Sequence, residues 1–144
     1  MKRILISACL LGEKCRYDGL SKPNEQIKRL SSKYELIPIC PEVLGGLSTP
    51  RKPSEINGDR VIMVDGTDVT AEYRKGAERA LEIAKGNGCD LAILKSRSPS
   101  CGKGLVYDGT YTKTLVAGNG ITARLFMENG ILVLDETEIY KLEL

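Results

Sequence analysis

The 144-residue chain carries 21 Lys and Arg against 19 Asp and Glu, a net charge of +2 that is too small and too scattered for an electrostatic nucleic-acid binder. It has no histidine, which excludes a Ser-His triad and a His-ligated metal, and its 5% aromatic content without Trp excludes a stacking platform for single-stranded nucleic acid. No apolar run reaches membrane-spanning length and the N-terminus leads straight into a strand, so one cytoplasmic domain over residues 1–144 is expected.

Taken in order, Arg3–Ala8 reads as a first strand, with Ile4, Leu5 and Ile6 suited to a sheet covered on both faces. The loop Cys9–Gly19 is long for a connection in a compact domain and carries two cysteines, Arg16 and Asp18, which favours function. Asn24–Lys33 predicts a short helix with Ile27 and Leu30 inward and Pro23 near its start. Glu35–Ile39 is the second strand, and Pro38 confines it to an edge or makes it short. Cys40–Pro53 reads as irregular. Arg60–Val64, between Asn57-Gly58 and Asp65-Gly66, is one arm of a hairpin.

Thr70–Lys85 is a helix with Tyr73, Ala77, Ala80, Leu81 and Ala84 inward, capped by Asp68 or Thr70 and stopped at Gly86 and Gly88. Asp90–Lys95 is the third parallel strand, followed by a Gly/Ser/Thr-rich loop over Ser96–Ala117. Ile121–Glu128 is a helix, Ile131–Leu134 the last strand, and Asp135–Leu144 a tail with helical character. The alternation of strands and helices predicts an α/β chain: a single-domain, three-layer, Rossmann-like fold with a mainly parallel sheet.

The cysteines separate by position. Cys9, Cys40 and Cys101 end predicted strands or lie just beyond them, beside Gly or Pro. In a parallel sheet all three thiols reach one rim, where α/β proteins place their sites. Cys89 lies at the opposite rim and reads as a small buried hydrophobe. Cys15, in the first loop, is a possible additional ligand or redox partner. An odd number of cysteines in a reducing compartment points away from a disulfide framework and towards metal binding or catalysis.

Thiolates without histidine suit two centres. Zinc wants a fourth ligand, such as Cys15 or Glu42, to close a structural site. An iron–sulfur cluster on three thiolates leaves one iron open to act as a Lewis acid. Glu42 is a candidate general acid or base, and Ser98 and Ser100, flanking Pro99, are placed to bind substrate. Arg16, Asp18 and Arg51 are candidate substrate-binding residues. No GxGxxG or P-loop pattern is present. These residues leave three functions open: an iron–sulfur enzyme acting on a small molecule, a non-catalytic zinc or small-ligand module, and an unmetallated anion binder.

The motifs Ser7-Ala-Cys-Leu-Leu-Gly12 with Cys15-Arg-Tyr-Asp-Gly19, Cys40-Pro-Glu42, Thr49-Pro-Arg51, Asp68-Val-Thr70 and Leu94-Lys-Ser-Arg-Ser-Pro-Ser-Cys-Gly102 with Tyr107-Asp-Gly109 resemble the bacterial YbbK-like family, which includes the thiouracil desulfurases. The resemblance spans residues 3 to 130 and several motifs in order. It implies a [4Fe-4S] cluster on Cys9, Cys40 and Cys101, a free iron that takes sulfur from a thiolated pyrimidine without net redox change, Glu42 as acid/base, and a catalytic serine in Ser-Pro-Ser-Cys, Ser98 in preference to Ser100.

Overall fold

A computed structural model describes residues 2–21, 23 and 25–142. Four strands form a parallel sheet in the order β2-β1-β5-β8: β1 is Lys2–Ser7, β2 Tyr34–Ile39, β5 Leu91–Leu94 and β8 Leu132–Asp135. β2 lies at the edge, which is where Pro38 can sit opposite Ile6 without interrupting a central ladder. The inner strands are buried on both faces, β5 wholly so, and the alternation along them divides the core in two. Leu5, Ala92, Leu94 and Val133 pack with α3 (Thr70–Gly86) and α4 (Ile121–Glu128) through Ala80, Ala84, Ala123 and Phe126. Ile4, Ile6, Ile93 and Leu134 pack on the other side against α1 (Glu25–Leu30) through Ile27 and Leu30, and against Ile139 of the 3-10 turn Ile139–Leu142. These are the expected three layers.

Smaller elements are added to this frame. β3 (Ser54–Asn57) and β4 (Arg60–Met63) form the expected hairpin, which lays Val61 against Val69 and Tyr73. At the start of α3 the Asp68 carboxylate accepts the Thr70 N–H at 2.9 Å, while the Thr70 hydroxyl accepts the N–H of Val61. Two expectations need correction. The stretch 40–53 is not wholly irregular: Pro41–Leu44 form one helical turn, α2, too short to show a period in the sequence. The loop 96–117 contains β6 (Leu105–Tyr107) paired antiparallel with β7 (Leu115–Ala117), strands of three residues each that the Gly/Ser/Thr composition conceals. Asn24, the expected first residue of α1, and Glu143 and Leu144 of the tail lie outside the described residues.

α2 packs on α3 with almost no space between backbones. A Cβ on Gly76 would stand 1.9 Å from the Pro41 carbonyl oxygen, and one on Gly45 would stand 2.0 Å from that of Glu72. Both positions require glycine for close approach. This contact fixes where the carboxyl end of β2 delivers its residues.

Candidate active site

From β1 the chain moves out to β2 and then returns across β1 to β5 and β8, so the sheet has a switch point between β1 and β5. Open α/β sheets form their binding crevice outside the carboxyl ends of strands at such a point. Three connections meet there. The end of β1 is tied to the end of β5 by buried Ser7, whose hydroxyl accepts the Lys95 N–H at 2.9 Å. The chain then turns through a 3-10 segment, Ala8–Leu11, that places Cys9 and closes on Gly12 at φ 99°. After β2, Cys40 is the N-cap of α2, Pro41 starts the helix, and Glu42 lies in its first turn.

After β5 the backbone turns tightly around Ser98, whose hydroxyl oxygen accepts the N–H groups of Ser100 and Cys101 at 3.1 Å each. A Cβ on Gly102 would fall 2.7 Å from the Ser98 carbonyl oxygen, so only glycine closes this turn. The N–H of Thr122 donates to the Ser100 carbonyl at 2.8 Å and docks the turn on α4.

These segments surround a cavity of about 560 Å³, lined by Cys9, Cys15, Cys40, Cys101, Glu42 and Ser98 among others, a volume suited to a small organic ligand. Cys89 is buried in the core cluster between sheet and helices, away from this cavity. Cys40 and Cys101 reach the cavity from the two strand ends flanking the turn that carries Cys9, and Cys15 joins them from the first loop. The thiols of Cys15, Cys40 and Cys101 are held in their protonated form. Burial pushes Cys101 up to about 12, with hydrogen bonds from Ser7 and Ser100 opposing it. Cys15 is raised to about 11: the Cys40 thiol lowers it, and the Cys9 thiol and burial more than compensate. The Cys40 thiol is raised above its ordinary range by its hydrogen bond with Cys15 and by burial.

Among the described residues no three Cys, Asp or Glu side chains gather closely enough to hold one metal ion. A structural zinc would draw four ligands to a single point at about 2.3 Å. A [4Fe-4S] cluster takes one thiolate per iron. Thiols delivered by three separate strand ends around a cavity fit that demand, and the donor set is all sulfur.

Glu42 is 9% exposed and held from three sides. Its Oε2 accepts both Nε (2.8 Å) and Nη2 of Arg51, and its Oε1 faces the Ser98 hydroxyl at 3.4 Å. The Tyr73 phenol, from α3, hydrogen-bonds at the same carboxylate; burial and the Glu42 charge both push it above its ordinary range. Arg51 commits its remaining N–H groups to the carbonyls of Ser48 (3.1 Å) and Cys15 (3.1 Å) and to the Thr49 hydroxyl (3.2 Å). Burial lowers the Arg51 pKa, the Glu42 charge outweighs this, and the guanidinium stays charged. Arg51, expected from sequence to bind substrate, lines the cavity and has its five donors engaged inside the chain, on Glu42 and on the carbonyls and hydroxyl that brace the first loop.

The two serines have different surroundings. Ser98 lines the cavity; Ser100, 1% exposed, points to Thr122 of α4 with their hydroxyls 2.8 Å apart. Arg16 lines the cavity. Asp18 does not: its Oδ1 accepts the Leu20 N–H at 3.0 Å in a local turn, and its Oδ2 lies 3.7 Å from Arg16. Sequence reasoning missed Tyr73 as a cavity residue, since its spacing spoke only of core. It also missed Glu136, which accepts the Ser96 N–H (2.8 Å), the Ser96 hydroxyl (3.0 Å) and the Lys95 ammonium (2.9 Å), pinning the start of the Ser98 turn from the end of β8. No local signal marks that contact.

The family model described as 2-thiouracil desulfurase matches residues 4–138. A Bacillus subtilis (strain 168) protein, described as uncharacterized protein YbbK, is 40% identical over 146 residues, covering 94% of this chain and 97% of that protein. A solved structure titled [4Fe-4S]-dependent thiouracil desulfidase TudS superposes with a TM-score of 0.94 at 42% identity, covering 99% of this chain and 95% of that one. The chain belongs to the 2-thiouracil desulfurase family.

Proposed function

We propose that this protein is a [4Fe-4S]-dependent desulfidase that hydrolyses the C=S group of a thionated pyrimidine base such as thiouracil, giving C=O and hydrogen sulfide with no net redox change. The observation that carries the reading is the shared cavity, which Cys9, Cys40 and Cys101 line together with the Glu42–Ser98 pair. Cys9, Cys40 and Cys101 would hold the cluster, which supplies an open iron as Lewis acid for the thiocarbonyl sulfur.

The protein's own groups do the proton work. Arg51 pairs with one oxygen of the Glu42 carboxylate and leaves the other facing Ser98. The Ser98 hydroxyl carries its proton towards Glu42 Oε1, and the two backbone N–H groups on its oxygen favour negative charge there. Glu42, through Ser98, thus accepts a proton as water adds to the thiocarbonyl carbon and returns it to the departing sulfide. The buried Tyr73 phenol takes a place at the carboxylate that water would otherwise hold.

Anaerobic reconstitution with iron and sulfide, followed by assay of thiouracil loss and sulfide release, tests the reading. Turnover by the wild type, lost in Glu42→Gln with the cluster spectrum intact, is the expected result. A reconstituted wild type that leaves thiouracil and other thionated pyrimidines untouched overturns it.

A further inference from the structure

Two carboxylates line the cavity, those of Glu42 and Glu55. Both oxygens of Glu42 are engaged, one by Arg51 and the other facing Ser98. Glu55 comes from β3 and is 8% exposed. Its Oε1 accepts the N–H groups of Gly109 at 3.0 Å and Tyr111 at 3.2 Å, both from the turn between β6 and β7. Its Oε2 has no hydrogen-bond or ion-pair partner among the described residues. That oxygen is not sealed in, because no fully buried side-chain oxygen or nitrogen among those residues lacks a partner.

The turn is shaped around this carboxylate. Tyr111 lies at φ 60°, a conformation that is costly for a residue other than glycine and persists only where the surroundings enforce it. The β3–β4 hairpin supplies the enforcing contacts. Beside Glu55 itself, the Ile62 carbonyl accepts the Tyr111 hydroxyl, and a Cβ on Gly109 would stand 2.8 Å from the Ile56 carbonyl oxygen. Glu55 is therefore held rigidly, with one oxygen committed to backbone and the other free.

We infer that Glu55 Oε2 accepts a ring N–H of the substrate, which makes Glu55 a specificity-determining residue of this site. The inference rests on the desulfidase reading above. A thionated pyrimidine such as thiouracil carries an N–H beside its thiocarbonyl carbon, and Glu55 Oε2 is the carboxylate oxygen in the cavity wall left without a partner. An ionised carboxylate accepts hydrogen bonds and cannot donate them. It therefore selects a ring bearing N–H and rejects one whose nitrogen is methylated. A hydrogen bond to a charged group in such a site is worth about 10- to 100-fold in discrimination.

The test compares thiouracil with its two derivatives methylated at one or the other ring nitrogen, as substrates of the reconstituted full chain. Wild type and Glu55→Gln are assayed side by side. In Glu55→Gln the amide oxygen stays on the two backbone N–H groups and turns an NH2 donor towards the substrate. The expected wild-type kcat/KM is about 10- to 100-fold lower for one of the methyl derivatives than for thiouracil. Glu55→Gln should lose that factor on thiouracil and not on the derivative, so the discrimination closes. Each ratio is taken within one preparation, so partial folding or partial cluster loading cancels. Equal turnover of all three compounds by the wild type overturns the inference. So does a discrimination that Glu55→Gln retains in full, which would make the rejection steric; both results leave the desulfidase reading in place. A reconstituted wild type that desulfurises no thionated pyrimidine overturns both.

Discussion

Replacing Gly76 by Ala sets a methyl group 1.9 Å from the Pro41 carbonyl oxygen and 2.8 Å from its carbon. Both clashing partners are backbone, so no rotamer change relieves them, and reaching even 3.0 Å requires α2 to retreat from α3 by about 1 Å. Overpacking of this kind costs about 1–3 kcal/mol, against a gain of about 1 kcal/mol from replacing a helical glycine. The net effect is a loss of up to about 2 kcal/mol, or at most a few degrees in Tm for a chain of this size. The functional effect should exceed the stability effect, because α2 carries Cys40 at its cap and Glu42 in its first turn. A displacement of about 1 Å in a catalytic group can reduce turnover by up to about 100-fold. Gly86 provides the control: it ends the same helix, and a Cβ there meets nothing within 4 Å. Gly86→Ala should be neutral or slightly stabilising with unchanged turnover. Thermal unfolding and sulfide release of the two variants decide the matter; a Gly76→Ala protein as stable and active as Gly86→Ala would refute the packing argument.

Arg51→Lys keeps the charge but loses the fork that reaches Glu42, Cys15, Ser48 and Thr49, so urea unfolding should show a loss of about 2–3 kcal/mol, short of the roughly 3–5 kcal/mol expected for breaking a buried ion pair outright. Ser98→Ala should lower kcat about 100-fold or more at constant iron content; Ser100→Ala, which strands the Thr122 hydroxyl, should instead cost about 1–2 kcal/mol of stability and leave kcat within a few-fold. Glu138 is opposed by burial but held down to about 2 by Lys141 and Lys103. A depressed carboxyl stabilises the fold above its unfolded pKa of about 4.3 and loses that contribution as pH falls towards its folded value. Glu138→Gln should therefore be about 1 kcal/mol less stable than wild type at pH 7, discounted for the partly exposed lysines, with the gap narrowing below pH of about 4. A gap that is undiminished at pH of about 2 counts against the assignment.

What could be read from the sequence were features with a period or a fixed geometry. β1 and β5 announce themselves as continuous apolar runs because both faces of a parallel sheet are covered, and Pro38 identifies an edge because it cannot donate to a ladder. Once the strands are parallel, thiols at their ends must share a rim. The short elements were illegible for the converse reason: α2 is a single turn and β6 and β7 are three residues each, so no period can develop. Side-chain roles were harder still. Arg51 resembles a free cation until all its donors are counted in three dimensions, and Ser98 differs from Ser100 only in which way the turn aims each hydroxyl. Glu136 reaches Ser96 across 40 residues, a contact created by β5 and β8 lying side by side.

The three candidate ligand thiols come from positions 9, 40 and 101, each at the end of a different strand, so the site exists only after β1, β2 and β5 have paired. Binding a cluster across them therefore links three elements that the unfolded chain leaves far apart, and its binding free energy adds to folding free energy. The loaded protein should unfold at a higher temperature than the cluster-free chain. Cys101→Ser should lose most of that increment, because Cys101 is the thiol supplied by the β5 connection, whereas Cys89→Ser, altering a core residue outside the cavity, should lower both curves alike and leave the difference intact. Differential scanning calorimetry of loaded and cluster-free forms of each variant measures this directly. An equal increment in Cys101→Ser and wild type would mean that the cluster does not bridge β5 to the rest of the sheet.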